Sequence, residues 1–321
     1  MLTRTHFVRF VERARHLPAL AAAFVHPCDA ETLQLALTGA FTGTISPVLV
    51  GPEARIRDAA AKAAIDIARL PIVNTEDDPR ASAVRAVELA RSRRVRALVK
   101  GTLGNDDLLA PVIAPDSGLR GPHRLSHAYF LDLAGWPQGI VLADAELNVA
   151  PSFAAKRDIV HNTIAFAQAL GIATPRVALV AAMDQPNPAF PSTADAAALK
   201  EMGAAGLFGT AMVDGPLTAD SALSEEAAAA NGHRGDVAGH ADVLIAPGME
   251  AASLMLRTLT GLTSGLAAGV VLGAAVPIVA PVRGDTTEVR MASCVLASLV
   301  ASAYARSAVA AATAPAVATP A

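Results

Sequence analysis

The chain has 321 residues, of which 53% are hydrophobic and 17% charged, and its formal net charge is -3. This length exceeds a typical single domain and the apolar content supports a large core, so we expect two domains that share a cleft. The weak negative charge argues against nucleic acid or an anionic membrane as a partner. The two cysteines, Cys28 and Cys294, match no zinc or redox spacing, which favours a reducing, cytoplasmic compartment.

The elements predicted along the chain are those of an α/β protein. No apolar secretory segment opens the sequence, and residues 7–15 predict an amphipathic helix. Short runs rich in β-branched residues then alternate with alanine-rich helical segments, a pattern typical of mainly parallel sheets with helices on both faces. The predicted strands are residues 47–50, 97–99, 128–131, 140–142, 177–180, 243–245 and 278–279. The clearest helix is predicted over residues 151–170, and it opens a second α/β unit after a break near residue 144.

Two further segments need a structural interpretation. Residues 258–282 carry no charge and have a glycine at every fourth position from 261 to 273, which is also typical of a transmembrane helix. Because Pro277 and Pro281 interrupt the run, we favour a glycine-rich helix and turn followed by a buried strand. Residues 307–321 contain only Ala, Val, Thr, Ser and Pro, and their end predicts a frayed, disordered tail.

Several common catalytic motifs are absent from the sequence. It contains no Walker loop, no GxGxxG after a strand, no HExxH and no nucleophile elbow. These absences weaken nucleotide hydrolysis, dinucleotide redox chemistry, zinc proteolysis and α/β-hydrolase chemistry. His123 and His127 are four residues apart, but no third ligand follows at a readable spacing, so we predict no metal.

Basic residues near two predicted strands are candidates for binding an anion. Lys100 and Thr102 follow the strand at 97–99, where ligands of open α/β sheets bind, although a plain loop with a helix N-cap at Asn105 explains the same residues. Arg120 and Arg124 precede the strand at 128–131 and either bind an anion or belong to a solvated loop.

A third arginine, Arg283, lies just beyond the apolar strand at 278–279, with Asp285 and Glu288 within five residues. This arrangement suits a site that holds an anion and moves a proton beside it. A structural ion pair between Arg283 and either carboxylate is the alternative.

The order of several segments resembles the phosphate acetyltransferase and phosphate butyryltransferase family. These segments are residues 100–103, 124–127, 144–148, 214–217, 237–247 and 283–288. Members of that family move an acyl group between coenzyme A and inorganic phosphate. The resemblance implies that this chain interconverts a short-chain acyl-CoA and phosphate with an acyl phosphate and coenzyme A, the latter as a substrate and without any added cofactor.

The resemblance also implies an architecture, like that of isocitrate and isopropylmalate dehydrogenases. It consists of two three-layer α/β/α domains with mainly parallel sheets and an interdomain cleft. Residues 1–144 with 293–321 would form the first domain, and residues 145–292 the second. A homodimer is expected on the same basis.

The resemblance assigns roles to individual residues. Arg283 would bind phosphate, and Glu288, with Asp285 as second choice, would accept the proton of a thiol whose ordinary pKa is about 8.5. The implied substrate-binding residues are Lys100, Thr102, Arg124, Ser126, Asn148, Gly215, Pro216, Glu250 and Ser253.

Some positions depart from the family's pattern and keep other functions open. Val282 replaces a serine expected to bond the reacting thioester, Gly104 replaces a histidine, and Ala252-Ser253 replaces Gly-Asn. Where an acid is common six residues after the arginine, this chain has Val289. A protein of the same fold that binds an acyl-CoA or phosphorylated metabolite without efficient transfer is therefore the alternative. A metal- and nicotinamide-dependent decarboxylating dehydrogenase of similar architecture ranks last, because neither its metal-binding aspartates nor its nucleotide loop can be assembled.

Overall fold

The computed structural model describes residues 5–313, and in this part of the chain eleven strands form one mixed sheet. The strands are β1 Leu20–Val25, β2 Ile45–Gly51, β3 Ile72–Asn74, β4 Ala97–Lys100, β5 Ser126–Asp132, β6 Ile140–Ala143, β7 Arg176–Val180, β8 Met212–Leu217, β9 Val243–Ile245, β10 Leu266–Leu272 and β11 Ile278–Val279. Their order across the sheet is β3-β2-β1-β4-β11-β10-β5-β6-β9-β7-β8.

Helices cover both faces of this sheet. They are α1 Thr5–Arg15, α2 Ala30–Phe41, α3 Glu53–Lys62, α4 Pro79–Arg91, α5 Asn105–Ile113, α6 Phe153–Ala169, α7 Pro191–Ala204, α8 Ala219–Leu223, α9 Glu225–Ala230, α10 Met249–Thr263 and α11 Thr287–Thr313. The predicted helix at 151–170 corresponds to α6, where the side chain of Ser152 caps the first turn by accepting from the Ala155 N–H.

The sheet contains two parallel blocks joined by antiparallel pairs. Strands β1, β2, β3, β4 and β11 run parallel to one another, and so do β6, β7, β8 and β9. Between the blocks, β10 pairs antiparallel with β11 and β5, and β5 pairs antiparallel with β6. The predicted α/β class with mainly parallel strands is confirmed, and each predicted strand is present. The predicted domain boundaries stay a prediction.

Residues 258–282 do not form a continuous helix. They comprise the end of α10, the buried strand β10, a turn and β11, so the prediction of a glycine-rich helix leading to the strand was wrong for residues 266–272. A strand forms there because Val270, Val271 and Leu272 have β-forming side chains and all three are buried in the sheet.

Helix α11 is the one described helix long and apolar enough to cross a membrane, over Thr287–Val309. Of the most apolar 18-residue stretch of this helix, 56% is buried inside the fold. There α11 packs against α1, α2, α6 and the strands β4, β10 and β11. The helix continues to Thr313, so the expected frayed end does not begin at residue 307. Residues 314–321 of the expected tail lie outside the described residues.

The apolar cores differ between the two faces of the sheet. Successive strand residues point to opposite faces, and on one face a single core joins the strands to α1, α2, α3, α6, α7 and α11. On the other face there are two separate cores. One lies beneath α4 and α5, and the other lies beneath α8, α9 and α10. We call the region between these two cores the cleft; it lies near the ends of β4 and β11 and over β10 and β5.

Candidate active site

Lys100 ends β4 and faces the cleft. Its side chain alternates with that of Val99, which belongs to the single core on the opposite face. The Nζ atom of Lys100 donates to Asn105 Oδ1 at 2.7 Å. Burial lowers the pKa of Lys100, and the carboxylates of Glu146 and Asp285 oppose that lowering. The expected N-cap at Asn105 was wrong, because α5 begins at Asn105 and Gly104 occupies the cap position.

The loop after β11 carries the second charged group. Asp285 Oδ2 accepts a hydrogen bond from the Val282 N–H at 2.9 Å, which closes this loop on itself. Burial raises the pKa of Asp285, while the Val282 N–H and the cations Arg290, Arg257 and Lys100 oppose the rise. Asp285 is therefore half-buried among cations and is the better placed of the two candidate bases. Glu288 is exposed in the first turn of α11.

Arg283 lies in the same loop and is exposed. Within residues 5–313, no hydrogen bond or ion pair engages its guanidinium group. The structural ion pair with Asp285 that the sequence left open is thus not formed. The neighbouring cation Arg290 is buried instead and links Glu31 of α2 to the Asp285 carbonyl, where its Nε donates at 3.1 Å. Arg290 fixes the loop, and the guanidinium of Arg283 remains available to an anion.

A third charged group follows β6. Asp144 accepts hydrogen bonds from the backbone N–H groups of Glu146 and Leu147, both at 3.1 Å, and from Asn148 Nδ2. Asn148 Nδ2 also donates to the Leu125 carbonyl at 2.9 Å, so this predicted substrate ligand ties two loops together. Burial raises the pKa of Glu146, and Arg257 of α10, 3.7 Å away, opposes the rise.

The strand β5 contributes two aromatic side chains to the cleft. His127 and Tyr129 stack with ring centroids 4.4 Å apart, and both are almost completely buried. Burial lowers the pKa of His127 to about 3, so its ring is neutral near pH 7. His123, the other half of the considered histidine pair, instead stacks on His161 of α6 at 4.6 Å. The two histidines therefore do not converge on a metal.

Two of the predicted ligands near β5 have contacts with α6, on the face away from the cleft. The Ser126 hydroxyl accepts from Asn162 Nδ2 of α6 at 2.8 Å, on the face opposite His127. The same amide donates to the Arg124 carbonyl at 2.8 Å, and the Arg124 N–H donates to Asp158 of α6 at 3.1 Å. The structure thus gives Ser126 a part in holding β5 to α6 rather than a place beside Lys100.

The remaining predicted ligands are distributed over three places. The Thr102 hydroxyl donates to Asp29 Oδ2 at 2.7 Å, and Asp29 also caps α2. Glu250 and Ser253 lie on α10 at a spacing that places them on the helix face of Arg257. Gly215 and Pro216 belong to the edge strand β8, which β7 and β9 separate from β6.

Comparison with known proteins assigns this arrangement to a family. A sequence model described as "Phosphate acetyl/butaryl transferase" matches residues 80–298. The chain is 41% identical to a phosphate acetyltransferase of Rhizobium meliloti over 91% of this chain and 92% of that protein. It is 32% identical to a phosphate butyryltransferase of Clostridium beijerinckii over 92% of this chain and 98% of that protein. The chain belongs to the phosphate acetyl/butyryl transferase family.

Solved structures agree with this assignment. A branched-chain phosphotransacylase from Enterococcus faecalis V583 superposes with a TM-score of 0.76 at 26% identity, over 88% of this chain and 99% of that one. A phosphotransacetylase from Streptococcus pyogenes gives a TM-score of 0.81 at 19% identity, over 94% and 99% of the two chains, and shows the same fold.

The fold is also shared with a dehydrogenase of different chemistry. A 4-hydroxythreonine-4-phosphate dehydrogenase from Salmonella typhimurium gives a TM-score of 0.58 at 14% identity, over 88% of this chain, which supports the fold alone. In the described part of the chain, no three His, Cys, Asp or Glu side chains converge as metal ligands. Membership of the transferase family, rather than the fold, decides against the dehydrogenase.

No site role was predicted from the sequence for Asp144, Glu146, His127, Tyr129 or Arg257. One signal was readable, since Asp144 and Glu146 follow directly after a buried strand. The side of the sheet on which His127 and Tyr129 lie depends on the register of β5 with β10, which the sequence does not state.

Proposed function

We propose that this chain transfers a short acyl group between coenzyme A and inorganic phosphate, with Arg283 and Asp285 at the reacting centre. One observation carries this proposal. An exposed arginine with no described partner lies two residues from a half-buried carboxylate whose pKa is raised, at the end of β11. An anion binds to the guanidinium group, and a base of raised pKa lies beside it.

In the direction of acyl-CoA formation, Asp285 accepts the proton of the coenzyme A thiol. The thiolate sulfur attacks the carbonyl carbon of the acyl phosphate, the bond from that carbon to the phosphate oxygen breaks, and phosphate leaves. Arg283 and Lys100 hold the phosphate group, whose negative charge increases as it leaves. In the reverse direction, phosphate attacks the thioester and the departing thiolate recovers the proton from Asp285.

Asp285 rather than Glu288 is the proposed base because of its surroundings. Burial raises the pKa of Asp285, as suits a proton acceptor, and the cations Arg290, Arg257 and Lys100 oppose the rise and favour the carboxylate form. Glu288 is exposed on the first turn of α11. This choice reverses the order that the sequence suggested.

The direct test is the release of free thiol from acetyl-, propionyl- and butyryl-CoA, with and without phosphate. Phosphate-dependent turnover supports the transferase. Saturable coenzyme A binding without turnover of any of the three would favour the alternative, a binding protein of the same fold. The departures at Val282 and Gly104 are the observations on which that alternative rests.

The acyl chain length is proposed from Val282. This residue is half-buried beside Arg283, where a serine was expected, and makes that wall of the cleft more apolar. We therefore expect propionyl- or butyryl-CoA to give a higher kcat/KM than acetyl-CoA, and a clear preference for acetyl-CoA would contradict this.

We also propose that the protein is a cytoplasmic homodimer. Family membership and the two unpaired cysteines, Cys28 and Cys294, support this assignment. Sedimentation velocity of the purified chain measures the assembly, and a monomer across the micromolar range would contradict it.

A further inference from the structure

The side chain of Tyr129 reaches across the sheet. Gly269 of β10 is paired with Tyr129 of β5, and β10 separates β5 from β11. A Cβ atom at Gly269 would lie 2.7 Å from Cε1 and 2.8 Å from Cδ1 of Tyr129. The ring therefore occupies the space above β10 that a side chain at residue 269 would fill. It leans from β5 towards the end of β11.

The hydroxyl group of Tyr129 has no protein partner in the described part of the chain. The residue is 7% exposed, and no described group forms a hydrogen bond with its oxygen. Among the described residues, the fully buried side-chain atoms without a hydrogen bond are His127 Nε2 and His233 Nε2, and the Tyr129 oxygen is not one of them. The phenol oxygen is thus open to the cleft.

The charges around Tyr129 are those of the proposed site. Burial, together with the carboxylates of Glu146 and Asp285, raises the pKa of Tyr129. The phenol therefore stays protonated and remains a hydrogen-bond donor throughout the pH range in which a thioester is handled.

We infer that the Tyr129 hydroxyl donates a hydrogen bond to the acyl carbonyl oxygen of the substrate in the cleft. This inference rests on the proposed function. When phosphate or thiolate attacks the carbonyl carbon, negative charge grows on that oxygen, and a donor already in place stabilises it. Asp285 as a carboxylate only accepts, Arg283 is engaged with phosphate, and the side chain of Val282 has no donor.

The test compares the wild-type protein with Tyr129→Phe and Tyr304→Phe. The first variant removes one oxygen and keeps the ring over Gly269. The second is a matched control, because the chain has only two tyrosines and Tyr304 packs on α11 against the core of the opposite face. The kcat and the KM for phosphate and acyl-CoA are measured by thiol release, and the unfolding temperature is measured beside them.

We expect Tyr129→Phe to lower kcat by about 100 to 1000-fold, the usual effect of losing one preorganised donor. Both KM values and the unfolding temperature should stay near those of the wild type, because the bond forms mainly in the transition state. Tyr304→Phe should leave kcat and both KM values unchanged, and a small fall in its unfolding temperature is expected from the lost hydrogen bond to the Gly273 backbone.

Three results would overturn the inference while the proposed function stands. They are a Tyr129→Phe variant with near-wild-type kcat, a raised KM with unchanged kcat, and a lowered kcat accompanied by a lowered unfolding temperature. A wild-type protein without phosphate-dependent turnover would instead remove the proposed function, and this inference with it.

Discussion

The charge states of single residues set the expected pH dependence of the reaction. The pKa of Asp285 is raised by burial, so its carboxylate, the form that accepts a proton, is lost as the pH falls through a value above the ordinary 3.8. We predict that kcat/KM of the wild type falls on the acid side with this apparent pKa. Asp285→Asn should lower kcat/KM by about 100 to 10,000-fold.

The matched control for this prediction is Glu288→Gln, which removes an exposed carboxylate three residues away. We expect it to retain most of the activity and the same acid limb. The assignment of the base would be reversed by a large loss in Glu288→Gln with little loss in Asp285→Asn.

His127 gives a prediction for stability rather than activity. Its pKa is lowered from 6.5 to about 3 because the ring is fully buried. Between these two values the unfolded chain binds one proton more than the folded chain, so the free energy of unfolding decreases as the pH falls below about 6.5. The slope from this residue is about 1.4 kcal/mol per pH unit, and it is absent above pH 6.5.

Chemical denaturation between pH 4 and 7 measures this slope, with His127→Phe as the comparison. The other titratable groups change the free energy of unfolding with pH in the same way in both proteins. The difference between the two slopes is therefore the contribution of His127. Equal slopes would show that the pKa of His127 does not differ in this way between the folded and the unfolded chain.

At the scale of elements, the close approach of β5 and β10 explains why residue 269 is glycine. A Cβ there would lie 2.5 Å from His127 Nε2 and under 3 Å from the ring of Tyr129. We predict that Gly269→Ala lowers the free energy of unfolding by about 1 to 3 kcal/mol, as overpacking of a core usually does. Urea denaturation measures the change.

Gly261 on α10 provides the control for that substitution. Nothing lies near a Cβ at this position, and the residue is in a helix. Gly261→Ala should therefore stabilise the protein by up to about 1 kcal/mol. If both variants behaved alike, the packing of β10 against His127 and Tyr129 would not be the cause.

The residue types of each strand explain whether it could be predicted from the sequence. Strands β4, β6, β7 and β9 were predictable because short apolar, β-branched runs have few alternatives. Strand β1, with the sequence LAAAFV, was missed because three successive alanines favour a helix. Strand β8 was missed because Gly215 and Pro216 interrupt it.

At the scale of the whole molecule, the cleft arises from how the helices are distributed over one sheet. One face has a continuous core, whereas the other has two cores with the charged residues between them. Lys100 and Asp285 were predictable because both carry charge and lie at or just beyond the carboxyl end of a strand. Ser126 and His127 are adjacent in sequence, yet Ser126 faces α6 and His127 faces the cleft. Only the pairing of β5 with its neighbours determines the face of the sheet on which each side chain lies.

Phosphate binding by Arg283, at the end of β11, is the step on which the proposed reaction depends. Its most direct test is phosphate-dependent thiol release by Arg283→Ala, compared with Arg157→Ala, whose guanidinium group pairs with Asp158 on α6 of the opposite face. Arg283→Ala should lose about 100-fold or more in kcat/KM for phosphate, whereas Arg157→Ala should stay near the wild type. A wild-type rate in Arg283→Ala, or the larger loss in Arg157→Ala, would contradict this role of Arg283.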